Sequence, residues 1–147
     1  MFTGIIQGVA TIAAMHDQSG MRTFTLEFPQ GFCQDLAIGA SVSVDGVCLT
    51  VTELVPPSAA TFDVMLQSLN ITTLGSYAVG SRVNVERAAK DGAEIGGHPL
   101  SGHIDFSAAV VSVTTSDTNL LLRFDIPPDF RKYVFAKGYI AINGASL

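Results

Sequence analysis

The chain writes one phrase twice. VDGVCL at 44–49 returns as INGASL at 142–147, 98 positions later, and this repeat limits the possible folds more than any other feature. Sliding the sequence by that offset lays residues 1–49 on 99–147 without a gap. Matches fall at Gly4/Gly102, Ile6/Ile104, Ala10/Ala108, Pro29/Pro127, Phe32/Phe130, Gly46/Gly144 and Leu49/Leu147, with similar residues at Ile12/Val110, Glu27/Asp125, Val42/Ile140, Val44/Ile142, Asp45/Asn143 and Cys48/Ser146. They keep one register and land on turn glycines and prolines, as duplication requires. A unit this long is domain-sized and too long for a solenoid repeat. The expected organisation is a first barrel over 1–97 and the first half of a second over 98–147. On this reading two full copies would need about 196 residues, and the second is expected to stop near its midpoint.

Each copy reads as short strands divided by turns. In RTFTLEF (22–28) Phe24, Leu26 and Phe28 alternate with polar residues, the period of a half-buried strand. ASVSVDGVCLTVTEL (40–54) alternates, breaks at Asp45-Gly46, and alternates again; Asp-Gly is a turn signal because glycine accepts positive φ. ATFDVML (60–66) and RVNVER (82–87) supply further strands, and PPSA (56–59) and GSYAVGS (75–81) read as loops. Helix is confined to a turn or two near 30–38 and near 67–74. Gly39 and Gly138 do not coincide at the offset, so a loop differing by one residue is expected there. The pattern predicts an all-β fold: a six-stranded antiparallel Greek-key barrel, internally duplicated, with the second copy incomplete.

Composition narrows the function. Apolar residues make up 48% and charged residues 14%, more buriable surface than a short monomer needs. That points either to subunit contacts or to a chain cut short whose remainder would cover the surplus. A net charge of −5 argues against nucleic acid and anionic membranes as partners. Cys33 and Cys48 follow no metal or redox spacing, and without a signal sequence they fit a cytoplasmic location. The N-terminal MFTGIIQGVATIAAM lacks a basic flank and reads as a strand.

Chemistry concentrates in EIGGHPLSGHIDF (94–106), where His98 and His103 stand among glycines. No third ligand completes a metal site there, and such glycines would equally suit a linker. A neutral imidazole can also take or give a proton near pH 7. At the offset His103 stands opposite Ile5, and Lys137 opposite Gly39, so the second copy gains ionisable groups. Cys48 reads first as a buried apolar residue. Ser41, Thr50, Asp63, Gln67 and Ser68 could hydrogen-bond a polar small molecule. No phosphate loop, dinucleotide fingerprint or nucleophile elbow is present.

MFTGII, GASVSVDGVCLTV (39–51), VGSRVNVERA (79–88) and GGHPLSGHI (96–104) resemble the riboflavin synthase family. The resemblance implies two Greek-key barrels and a C-terminal helix, assembled as trimers. It also implies a reaction: two molecules of 6,7-dimethyl-8-ribityllumazine dismutate to riboflavin and 5-amino-6-ribitylamino-uracil, with no cofactor and no metal. The active site would form between the first barrel of one subunit and the second barrel of another. Carried over residue by residue, Gly4, Ile5 and Ile6 resemble one ligand-contact segment, and Cys48, Leu49 and Thr50 a second. Asp63, Val64, Met65, Leu66, Gln67 and Ser68 resemble the third. Gly102, His103 and Ile104 repeat the first segment, Lys137 resembles a lysine that reaches the ligand, and Ser146 and Leu147 begin a further segment. His103 is the expected proton-transfer residue, with Ser41 and Cys48 positioning the ligand or assisting addition. Gln67, Ser68 and Asn143 stand where glutamate, threonine and aspartate are common. A lumazine protein, which shares the barrels and binds without catalysis, is the alternative. A flavin oxidoreductase barrel fits less well, because Arg131-Lys132-Tyr133-Val134 lacks the hydroxyl its motif needs after tyrosine.

Overall fold

In the computed structural model, which describes residues 1–147, six antiparallel strands close into a barrel: β1 (Gly8–Gln18), β2 (Met21–Glu27), β3 (Ser41–Val44), β4 (Val47–Val55), β5 (Ala59–Met65) and β6 (Arg82–Arg87). Their order around the barrel is β1-β2-β5-β4-β3-β6, which places the β3–β4–β5 meander between β2 and β6 in Greek-key fashion. Alternation decides what faces inward. Phe24 and Leu26 on β2, Val42 and Val44 on β3, Leu49 and Val51 on β4, Phe62 and Val64 on β5, and Val83 and Val85 on β6 form one buried cluster. Phe28 stacks on Phe32 at 4.6 Å and meets Phe62 edge-on at 6.1 Å, closing one end. Arg87 reinforces that closure by donating to the carbonyls of Phe32, Gln34 and Asp35. Residues 30–35 form turns rather than helix, while the expected helical stretch after β5 is present as α1 (Leu66–Ile71).

The second copy repeats the backbone of the first. β7 (Ala109–Thr115) pairs with β8 (Leu120–Asp125), and a short hairpin joins β9 (Ala141–Ile142) to β10 (Ala145–Ser146). The β1–β2 ladder pairs Ile12 with Leu26 and slips between Ile12 and Ala14. The β7–β8 ladder pairs Val110 with Phe124 and slips between Val110 and Ser112. The bulge therefore recurs at the same offset. Turn bonds recur too: Phe32 N to Pro29 O and Phe130 N to Pro127 O, then Ala40 N to Ala37 O and Gly138 N to Phe135 O.

These last bonds correct one expectation. The loop at Gly39 has no extra residue in either copy, for Lys137 takes φ +63° where Gly39 takes +85°. A lysine thus occupies a left-handed position that glycine holds in the first copy.

The two copies interlock through their repeated segments. Phe2 and its equivalent Leu100 bond to each other in both directions, N to O at 2.8 and 2.9 Å, so a local twofold axis passes between them. Gly46 and Gly144 face each other across it, and a Cβ on either would stand 2.9 Å from the other's backbone nitrogen. Both glycines have positive φ, +88° and +80°, so the turn chemistry and the close approach demand the same residue.

Candidate functional site

The twofold determines which segments meet. Cys48 N donates to Gly102 O at 2.9 Å, and Ser146 N donates to Gly4 O at 2.9 Å. These are the same bond, written once in each direction between copies. The segments expected to meet ligand therefore do not gather by copy. Cys48–Thr50 of the first copy lies beside Gly102–Ile104 of the second, and Gly4–Ile6 of the first lies beside Ser146 and Leu147 of the second.

At the first cluster, strand alternation sorts the side chains. Leu49 and Val64 point into the barrel core, leaving their backbone to face outward groups. Cys48 is half-buried, while Thr50, Asp63 and Met65 are exposed. Ser41 pairs with Thr50, and Val51 with Phe62, which places Thr50 beside Asp63 on adjacent strands. Thr23 Oγ donates to the Asp63 carboxylate at 2.6 Å. Leu66, Gln67 and Ser68 open α1 directly after β5, with Leu66 and Gln67 exposed and Ser68 half-buried. From the second copy, Gly102 packs so closely that a Cβ there would lie 2.6 Å from Cys48 Cβ and 2.9 Å from the Phe2 ring. Ile104 packs against the barrel core. His103 is exposed; its backbone N–H donates to Ser101 Oγ, and its imidazole bonds no other group of the chain.

The second cluster is built on Gly4, whose φ is +74°. Glu86 fixes this segment. It is buried to 1% exposure, and its carboxylate accepts from Thr3 N, Thr3 Oγ and Gly4 N at 2.6, 2.7 and 2.9 Å. Ile5 is exposed, and Ile6 meets the Gly46–Gly144 contact. Ile5 also lines an open cavity of about 430 Å³ with Gln7, Glu86, Lys90 and Ile95, which touches neither Cys48 nor Ser146. Ser146 is half-buried, Leu147 is exposed, and Leu147 pairs with Ile140 through both backbone bonds. Lys137 is exposed on the loop that leads into β9.

A hydrogen-bond relay centred on the buried Asp45 sits where the clusters join. Asp45 Oδ2 accepts from Tyr77 Oη at 2.6 Å, Asp45 Oδ1 accepts from Asn84 N at 2.8 Å, and Asn84 Nδ2 donates to Asn143 O at 3.0 Å. Burial pushes the Asp45 carboxyl above its ordinary value, partly opposed by the two bonds it accepts. Burial, and then the bond to Asp45, pushes the Tyr77 phenol up to about 12. Asn143, the residue facing this relay from the second copy, has φ +46°, a conformation asparagine tolerates better than most residues.

Sequence reasoning missed three contributors. Glu86 occupies an outward position of an alternating strand and reads as solvent-facing; nothing local reveals that residues 1–6 cover it. Phe2, 1% exposed, was signalled only by its repeat partner Leu100. Tyr77 lay in a stretch read as loop, part of which forms a 3-10 turn at Thr73–Ser76.

The lumazine binding domain family matches residues 3–88 and again 101–147. Riboflavin synthase from Escherichia coli K12 is 45% identical over this whole chain, which covers 69% of that protein's length. The Mycobacterium tuberculosis H37Rv and Bacillus subtilis 168 riboflavin synthases are 37% and 33% identical, with 73% and 67% of their lengths covered. Among solved structures, LumP complexed with riboflavin superposes with a TM-score of 0.90 at 29% identity, over 99% of this chain and 78% of that one. LumP complexed with 6,7-dimethyl-8-(1'-D-ribityl) lumazine gives 0.87 at 28% identity, over 100% and 78%. With a duplicated fold whose repeated segments interlock about a twofold, this chain belongs to the riboflavin synthase family of lumazine-binding domains.

Proposed function

We propose that this chain is the lumazine-binding body of a riboflavin synthase, carrying two like sites. One observation carries the reading: reciprocal bonds set residues 48–50 beside 102–104, and residues 4–6 beside 146–147. Each site then draws on both copies. A dismutation of two 6,7-dimethyl-8-ribityllumazine molecules needs two similar sites, each holding a flat heterocycle in a defined orientation. When the first site of one subunit meets the second site of another in a trimer, the reactants come together and the entropic cost of their encounter is met by binding.

Under this proposal Thr50, Asp63, Gln67 and Ser68 bind polar atoms of the ligand, and Met65 and Leu66 cover its ring. Cys48 and Ser41 position the first ligand or assist addition to its ring. His103 exchanges a proton with the ligand's methyl group; its exposed imidazole is free to meet a ligand or a neighbouring subunit. Lys137 reaches the ligand of the second site. The ligands and any partner subunits are the expected partners, with neither nucleic acid nor membrane involved; no helix of the chain is long and apolar enough to cross a membrane. A cytoplasmic location and the absence of cofactor and metal belong to the same proposal.

The second reading, a carrier that binds lumazine or flavin without turnover, is favoured by Asn143. An aspartate is common at that position in the family, and this chain presents a neutral side chain whose backbone carbonyl is tied to Asn84. Incubation of the longest available form of the protein with 6,7-dimethyl-8-ribityllumazine separates the readings. Riboflavin absorbance that grows, and is lost in His103→Ala, supports the synthase. Ligand that binds by fluorescence and stays unchanged supports the carrier.

A further inference from the structure

His98 has no equivalent in the first copy under the 98-residue offset, yet three segments converge on it. Its backbone N–H donates to Thr3 O at 2.9 Å. Its ring lies on Tyr139, centroids 4.4 Å apart and planes 12° from parallel. Its Nδ1 stands 2.5 Å from Ser146 Oγ. The preceding Gly97 turns at φ +66° against Thr3, so backbone and ring are both fixed. At the first site, the positions of Ser146 and Tyr139 are held by Cys48 and Ser41, and no imidazole attends them. The two sites are therefore alike in backbone and unlike in polar chemistry.

We infer that His98 is a positioning residue of the second site: it holds the Ser146 hydroxyl in one orientation and so presents it to the ligand. A serine hydroxyl has one donor and two acceptor sites and rotates freely unless something engages it. Nδ1 engages one of these, and the Tyr139 stack fixes the plane from which it does so. The rest of the hydroxyl's capacity is left for a polar atom of the ligand, a pyrimidine carbonyl or a ribityl hydroxyl. The inference rests on the lumazine-binding reading above and adds to it a functional asymmetry between the two sites.

Ring stack and hydrogen bond can be separated by substitution. His98→Phe keeps an aromatic face on Tyr139 and removes Nδ1; His98→Asn keeps a polar atom near Nδ1 and removes the stack. Each variant of the 147-residue chain is titrated with 6,7-dimethyl-8-ribityllumazine by fluorescence, with the amide signals of Cys48 and Gly102 monitoring the first site. Ser146→Ala and His98→Phe should each weaken the second site about fivefold, the equivalent of one hydrogen bond. Their combination should be no weaker than Ser146→Ala alone, and His98→Asn should retain most of the affinity. Additive losses, full affinity in His98→Phe, or equal weakening at both sites would overturn the inference while leaving the lumazine reading intact. An unmodified chain that binds no lumazine would overturn both.

Discussion

Two hairpins separated by 98 positions have the same backbone and opposite burial. In β1–β2, Ile12, Phe24 and Leu26 are all 2% exposed or less. In β7–β8 the equivalent Val110 is 53% and Leu122 41% exposed, although pairing, bulge and register are the same. Strand pairing and turns are thus fixed by local chemistry, whereas burial needs the whole ring of strands. The first copy completes that ring with β3 to β6. In the second, only the two hairpins and the 3-10 turn between them, Pro128–Tyr133, are present in this chain. The hydrophobic contribution, about 25 cal/mol per Å² of apolar surface, is therefore concentrated in the first copy, and the second is held to it mainly by the twofold contacts.

The largest test of this contrast is a matched pair. Phe24→Ala should cost about 3–5 kcal/mol by opening a cavity in the closed barrel. Leu122→Ala at the equivalent position should stay within about 0.5–1 kcal/mol, because the side chain is already exposed. Denaturant unfolding followed by far-ultraviolet circular dichroism measures both, and equal losses would erase the distinction.

The turn glycines should behave in the opposite way. Gly46→Ala and Gly144→Ala each put a Cβ at positive φ and against the facing backbone, and each should cost about 1–3 kcal/mol. Because the contact is shared, either variant should speed hydrogen exchange at both Cys48 and Ser146. An effect confined to one copy would break the symmetry.

A smaller effect is expected at the relay that only the first copy supplies. Tyr77→Phe leaves Asp45 one partner short and should lower stability by about 1–2 kcal/mol, read as a drop in Tm. The pH dependence has a definite sign. Tyr77 keeps its proton in the folded chain up to about 12 and loses it near 10 when unfolded. The folded state thus binds more protons over that interval, and stability falls as pH rises from about 10 to 12. Solvent around this partly exposed phenol limits the loss to about 1 kcal/mol. Asp45 acts in the acid range with the same sign: its raised carboxyl pKa favours the folded state at low pH, and that gain fades as pH rises through the folded value. Tyr77→Phe should flatten the alkaline slope.

Much of this was legible in the sequence because it depends on neighbours along the chain. Asp45-Gly46 and Asn143-Gly144 announced their turns, the 22–28 and 40–54 alternations announced β2, β3 and β4, and the offset announced duplication. The Gly39–Lys137 loop misleads because the glycines, Gly39 and Gly138, do not coincide at the offset, whereas the register of the repeat holds and Lys137 takes the positive φ of Gly39. Glu86 and the crossing of segments between copies were not legible. An outward-facing carboxylate looks the same whether water or residues 1–6 cover it. Nor does the sequence say which of two repeated segments meets which; that follows from the twofold, a property of three-dimensional packing.

The central claim is that each ligand site is assembled from both copies, and amide chemical-shift mapping tests it most directly. On titration of the labelled chain with 6,7-dimethyl-8-ribityllumazine, Cys48 and Gly102 should shift together along one binding curve. Gly4 and Ser146 should shift together along another. Shifts that instead group Gly4 with Cys48, and Gly102 with Ser146, would mean that each copy binds its ligand alone and would contradict the account.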